Sequence, residues 1–160
     1  MSAKKNDNLL KVAEVDLVYK TKVKAIDRPT VKSSIDAAKI LKEYWDLDKI
    51  EFVEQFKILL LNRGRKVLGV FDVCTGGVSH VQVDVKVIFM MALKMNAASL
   101  ILAHNHPSGT LAASLADIDL TKKIVDGGNI LTINVDDHII ITNESYYSFA
   151  DNGQMKFPLI

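Results

Sequence analysis

The chain has a single cysteine, Cys74, so it can form no internal disulfide and offers no cysteine cluster for a structural metal. A reducing compartment, the cytoplasm, is therefore the expected location. No apolar run approaches the roughly 18 residues that cross a bilayer, and the opening Met-Ser-Ala-Lys-Lys-Asn-Asp-Asn lacks the apolar core of a secretion signal. No membrane partner is expected. Excess charge of one sign is missing too: 20 Lys and Arg stand against 19 Asp and Glu, a net charge of +1. Bulk electrostatics thus point neither to nucleic acid nor to an anionic surface, and such a partner would need a local patch. Repeats, low-complexity tracts and linkers are also lacking. What remains is a chain of 160 residues, 49% hydrophobic, which suits one domain with a substantial core.

Residues 1–11 are mostly polar and are expected to be mobile, with a single domain over 12–160. Val12 to Ile26 is strand-like, and Lys20, Lys22 and Lys24 fall at alternate positions on one face. That face suits a solvated edge strand whose lysines block pairing, or a contact to phosphate. Pro29 marks a turn, and Ser33-Ser34 cap a helix that should end near Trp45. Glu54 to Leu61 and Lys66 to Val73 predict two strands joined by the polar connection Asn62-Arg63-Gly64-Arg65, with Gly76-Gly77 ending the second.

From Val85 to Met95, Ile88, Phe89, Met91, Ala92 and Met95 trace the core-facing side of a helix. Ser99 to Ala103 reads as a buried strand that breaks into the loop His104-Asn105-His106-Pro107-Ser108-Gly109. A further helix is predicted from Ser114 to Val125, stopped by Gly127-Gly128. Two last strands, Ile130 to Val135 and His138 to Thr142, should flank Asp136-Asp137, and the tail from Gly153 carries no clear signal. Strands that interleave with helices predict an α/β fold, one domain with a mixed central β-sheet flanked by helices.

His104 and His106 are two apart at a strand end, so both side chains project from one face and can grip one ion. A bare pair of this kind is also compatible with surface histidines. Eight residues beyond His106, Ser114-Leu115-Ala116-Asp117 has the form of a helix capping box. The cap and a metal role are compatible, because a capped helix start can turn its carboxylate back toward the strand end. His104, His106 and Asp117 would then leave one coordination position open, the pattern of a catalytic rather than a structural zinc site. Hydrolysis at such a site also needs a base outside the coordination sphere to take a proton from the attacking water.

His104-Asn105-His106-Pro107, then Ser114 and Asp117, resembles the JAMM signature of the JAB/MPN metalloproteases. The longer string His-Asn-His-Pro-Ser-Gly, with Asn96-Ala97-Ala98 upstream and Asp137-His138 and Ser148-Phe149-Ala150 downstream, looks more narrowly like the RadC-like JAB domain. The resemblance covers 49–153. It implies a cytidine-deaminase-like sheet architecture and a zinc metallopeptidase or isopeptidase, a hydrolase that acts on a peptide or protein substrate. His104, His106 and Asp117 would be the Zn2+ ligands. Glu54 matches the catalytic glutamate before Phe56-Lys57-Ile58-Leu59-Leu60-Leu61-Asn62, with Glu51 a nearby competitor, and Ser114 would bond the attacking water or the oxyanion.

The chain departs from the family's pattern in places. The helix-hairpin-helix region of long RadC chains is not evident in the first fifty residues, Val85-Lys86 replaces the usual Pro-Arg, and Ala113 replaces a proline. These departures weaken the transfer of a DNA-repair role. Alternatives remain: a non-catalytic MPN-fold binding module, or a DNA-repair accessory protein. An HNH nuclease would spread its named residues over a hairpin, whereas here they are contiguous and Asn105 would point away from the histidines. A zinc deaminase expects P-C-x-x-C, which one cysteine cannot supply. Of the other histidines, His80 reads as a surface residue, and His138 as either a satisfied half-buried histidine or a group lying behind the site.

Overall fold

A computed structural model describes residues 22–76 and 83–156. A 3-10 helix at Ala25–Asp27 is followed by α1 (Ser34–Glu43), β1 (Gln55–Leu61), β2 (Val67–Thr75), α2 (Val85–Lys94), β3 (Ser99–Asn105), α3 (Leu115–Leu131), β4 (Asn134–Ile141) and β5 (Tyr146–Ser148). The five strands form one sheet in the order β2-β1-β3-β4-β5. β1 runs antiparallel to both β2 and β3, β4 is parallel to β3, and β5 returns antiparallel along β4. The fold is the α/β arrangement expected from the sequence, with a mixed sheet flanked by three helices.

Strand parity divides the core. Leu59, Leu61, Ile101, Ala103, Ile139 and Ile141 face α1, where they meet Ala37, Ala38, Leu41 and Trp45. Phe56, Ile58, Leu60, Leu100 and Leu102 face the opposite way, toward Ile88, Phe89 and Ala92 of α2 and Ile124 of α3. Each central strand is buried on both faces, so it reads as a nearly continuous apolar run rather than an alternation. His104 falls in the even set and thus opens toward α2 and α3, while Asn105 falls on the α1 side.

Four local expectations need correction or restriction. α3 does not stop at Gly127-Gly128 but runs to Leu131 and ends on Thr132 in a left-handed conformation, φ 56°. The two glycines serve close approach instead: a Cβ on Gly128 would lie 2.4 Å from the Ile133 carbonyl oxygen, and one on Gly127 2.8 Å from the Phe89 ring. The two strands expected around Asp136-Asp137 are one strand, β4, with Asp137 buried inside it. Its carboxylate accepts from the His138 and Ala150 amides at 2.7 and 2.9 Å and from Ser148 Oγ at 2.6 Å, so it needs no turn to reach solvent. Most of the Val12 to Ile26 stretch, with Lys20, lies outside the described residues, as does His80; Lys22 and Lys24 are exposed, and Ala25–Asp27 is helical rather than extended.

Candidate metal centre

The carboxyl ends of parallel β3 and β4 meet the amino end of α3, which crosses over between them. Chemistry in α/β sheets gathers at such ends, because loops and helix starts converge there on a fixed framework. His104 is the penultimate residue of β3 and His106 lies just past its end, anchored by its amide to the Ile141 carbonyl at 3.2 Å. Their Nε2 atoms lie 2.9 Å apart.

Asp117 is the third residue of α3 and completes a capping box with Ser114. Ser114 donates to Asp117 Oδ2 from its amide at 2.8 Å and its hydroxyl at 2.6 Å, and Ser114 Oγ accepts from the Asp117 amide at 3.1 Å. The cap fixes the rotamer and leaves Asp117 Oδ1 at 3.4 Å from His104 Nε2; Oδ2 lies 3.8 Å from His106 Nε2. The carboxylate that completes the cap thus also lies beside both histidines. One donor atom from each of His104, His106 and Asp117 lies within 4.8 Å of the others, a grouping that can hold a metal ion.

The donor set fits a cation for a further reason. His106 Nδ1 lies 2.6 Å from the Thr110 carbonyl, which can only accept, so the ring proton sits on Nδ1 and the Nε2 lone pair faces His104. His104 is buried, which pushes its pKa down to about 4, with the Asp117 charge opposing and His106 reinforcing the shift. A neutral imidazole is the ligand form. His138 is fully buried and shifted well below its usual value, first by burial and then by His104 and His106. It lies directly behind the site: its Nε2 is 2.8 Å from His104 Nδ1, and its Nδ1 is 2.6 Å from Thr121 Oγ1.

Glu54 stands one residue before β1 and is half-buried. The register of β1 with β3 ends on the Phe56–His104 pair, with Glu54 two residues before Phe56 and His106 two residues after His104. Its carbonyl accepts from the Gly76 amide at 2.8 Å, and its charge adds to the burial that raises the Cys74 thiol pKa. Glu51 is elsewhere. It is exposed in the preceding turn and accepts from Asn143 Nδ2 at 3.1 Å, beside the connection between β4 and β5. Asn105 faces away from the histidines and is fully buried on the α1 side.

Sequence reasoning missed Thr121 and the work of Asn105. Thr121 had a signal, since it follows Asp117 by four residues and so shares its helix face. The contact of His138 with His104 had none, because it depends on the parallel pairing of β3 with β4.

Residues 31–154 match the family described as RadC-like JAB domain. A UPF0758 protein of Flavobacterium johnsoniae is 46% identical over 100 residues, covering 62% of this chain and 44% of that protein. One from Porphyromonas gingivalis is 41% identical over 101 residues, 62% of this chain and 44% of its own length. A third, from Clostridium beijerinckii, is 36% identical over 151 residues, 93% of this chain and 64% of that protein. The chain thus spans about half the length of the curated relatives it matches. Together with the mixed sheet and the His104, His106, Asp117 grouping, the match over 31–154 establishes that the chain belongs to the RadC-like JAB domain family, within the JAB/MPN superfamily.

Proposed function

We propose that the chain is a zinc-dependent hydrolase that cleaves an amide bond in a peptide or protein, a peptidase or isopeptidase. The observation that carries this reading is the pair of imidazole Nε2 atoms facing each other at 2.9 Å with Asp117 Oδ1 beside them. Two lone pairs so close repel unless a proton or a metal cation lies between them, and three protein donors leave a coordination position open to the metal. When bound there, zinc supplies Lewis acidity and makes water a nucleophile at neutral pH. Glu54 takes the proton of the attacking water and returns it to the leaving amine, a role that its half-buried position two residues before the Phe56–His104 pair suits and the exposed, Asn143-bonded Glu51 does not. Ser114, at the rim, donates to the developing oxyanion by turning its hydroxyl from Asp117.

A second reading, an MPN-fold binding module without catalysis, draws on that same hydroxyl, which the helix cap already engages. Metal analysis separates the two. The purified chain is expected to carry close to one zinc ion, and His104→Ala or His106→Ala to carry none; full occupancy in the double His104→Ala, His106→Ala variant would refute the site.

A further inference from the structure

A hydrogen-bonded chain runs from one candidate ligand to the backbone of another, and its polarity can be followed atom by atom. Thr121 Oγ1 lies 2.5 Å from the Asp117 carbonyl oxygen. Two oxygens at that separation need a hydrogen between them, and only the hydroxyl can supply it. The hydroxyl proton is thereby used, so Thr121 Oγ1 meets His138 Nδ1, 2.6 Å away, as an acceptor. His138 consequently carries its proton on Nδ1 and presents a bare Nε2 to His104 Nδ1 at 2.8 Å. His104 must then be protonated on Nδ1, with its Nε2 bare and turned toward His106 and Asp117.

The relay is also held sterically. Phe149 stacks on the His138 ring at 4.6 Å between centroids with 22° between planes, and Phe56 meets it edge-on at 5.6 Å. Phe149 is in turn fixed by its neighbours, since the Ser148 hydroxyl and the Ala150 amide both bond Asp137, next to His138. A ring packed in this way cannot flip to offer the other nitrogen without displacing buried aromatics.

We infer that His138, held by Thr121, is a positioning residue that locks His104 in its Nδ1–H tautomer and so keeps Nε2 available to a metal ion. The inference rests on the metal-binding reading proposed above. It also gives Asp137-His138 and Ser148-Phe149-Ala150 one shared purpose, which is to hold a ring that touches a ligand and not the ion.

The test uses the full chain with His138→Leu, His138→Gln and Thr121→Val, and zinc alone as the probe. Glutamine can accept from His104 and donate to Thr121, whereas leucine can do neither. Competition with a chromophoric chelator should show zinc bound roughly 10–100-fold more weakly by His138→Leu. His138→Gln should recover most of that loss, and Thr121→Val should weaken binding by a smaller factor. Long-range 1H–15N spectra of the metal-free parent should show His104 protonated on Nδ1. An Nε2–H signal for His104, or parental zinc affinity in both His138→Leu and Thr121→Val, overturns the relay while leaving the metal site standing. A parent that binds no zinc overturns both readings. Should His138→Leu fail to fold, Thr121→Val, which keeps the side-chain shape, decides alone.

Discussion

Asn105 brackets Glu54 from both sides. Its Oδ1 accepts from the Gln55 amide at 2.7 Å, and its Nδ2 donates to the Val53 carbonyl at 2.9 Å and the Ile50 carbonyl at 2.7 Å. The residue between the two histidines therefore faces the other side of the sheet and holds the chain segment that carries the proposed base. Asn105→Ala leaves those backbone groups without partners in a buried place, at a cost of about 1–3 kcal/mol or more. Zinc affinity should stay within a few-fold of the parent, while hydrolysis falls as Glu54 loses its support. Denaturant unfolding beside zinc titration checks this; a variant as stable as the parent would show the three bonds to be of no consequence.

Glu54→Gln should keep zinc and lose two to four orders of magnitude in activity, roughly the contribution of a positioned base. Glu51→Gln keeps an amide oxygen that can still accept from Asn143 and should match the parent. Reversed outcomes in a peptide-cleavage assay would assign the base to Glu51.

Ser114→Ala deletes a helix cap and should cost about 1 kcal/mol. If the hydroxyl also serves the oxyanion, activity falls by roughly a hundredfold or more at unchanged zinc content. Loss of stability with full activity would restrict Ser114 to the cap.

The metal-free chain should weaken in acid. An unfolded histidine takes up a proton near pH 6.5, whereas folded His104 resists until about pH 4. Through that window the unfolded state binds more protons, so stability falls with falling pH, by on the order of 3 kcal/mol for a shift of this size. His138 acts in the same direction. Urea midpoints of chelator-treated protein at a series of pH values should fall through this range, and a flat profile would contradict the burial of the two rings.

Gly128→Ala puts a methyl 2.4 Å from the Ile133 carbonyl oxygen, a backbone atom that cannot swing aside. A loss of about 1–3 kcal/mol is expected. An unchanged melting temperature would mean that the end of α3 shifts freely.

Much of the candidate site was legible because its parts are close in sequence and obey local rules. The parity of His104 and His106 and the capping spacing of Ser114 and Asp117 each fix a direction without reference to the rest of the fold. Where the reading failed, one local pattern had two physical causes. Gly127-Gly128 looks the same whether it ends a helix or lets a backbone approach closely, and only the position of Ile133 decides. Asp136-Asp137 suggested a turn because buried acids are rare without partners, yet the partners of Asp137 lie at Ser148 and Ala150, beyond any local window. His138 stays open in the sequence between a satisfied histidine and a group behind the site, because its contact with His104 depends on the pairing of β3 with β4.

The crossover from β3 through α3 to β4 has a thermodynamic consequence. His104 and Asp117 stand on regular elements, with Thr121 and His138 behind them, and His106 is tied to Ile141 one residue past β3, so an arriving ion would find its donors already converged and little chain entropy left to lose. Zinc entry should therefore leave the heat capacity nearly unchanged, unlike a zinc-finger peptide that folds around its ion. The ion would act as a rivet set into a finished frame.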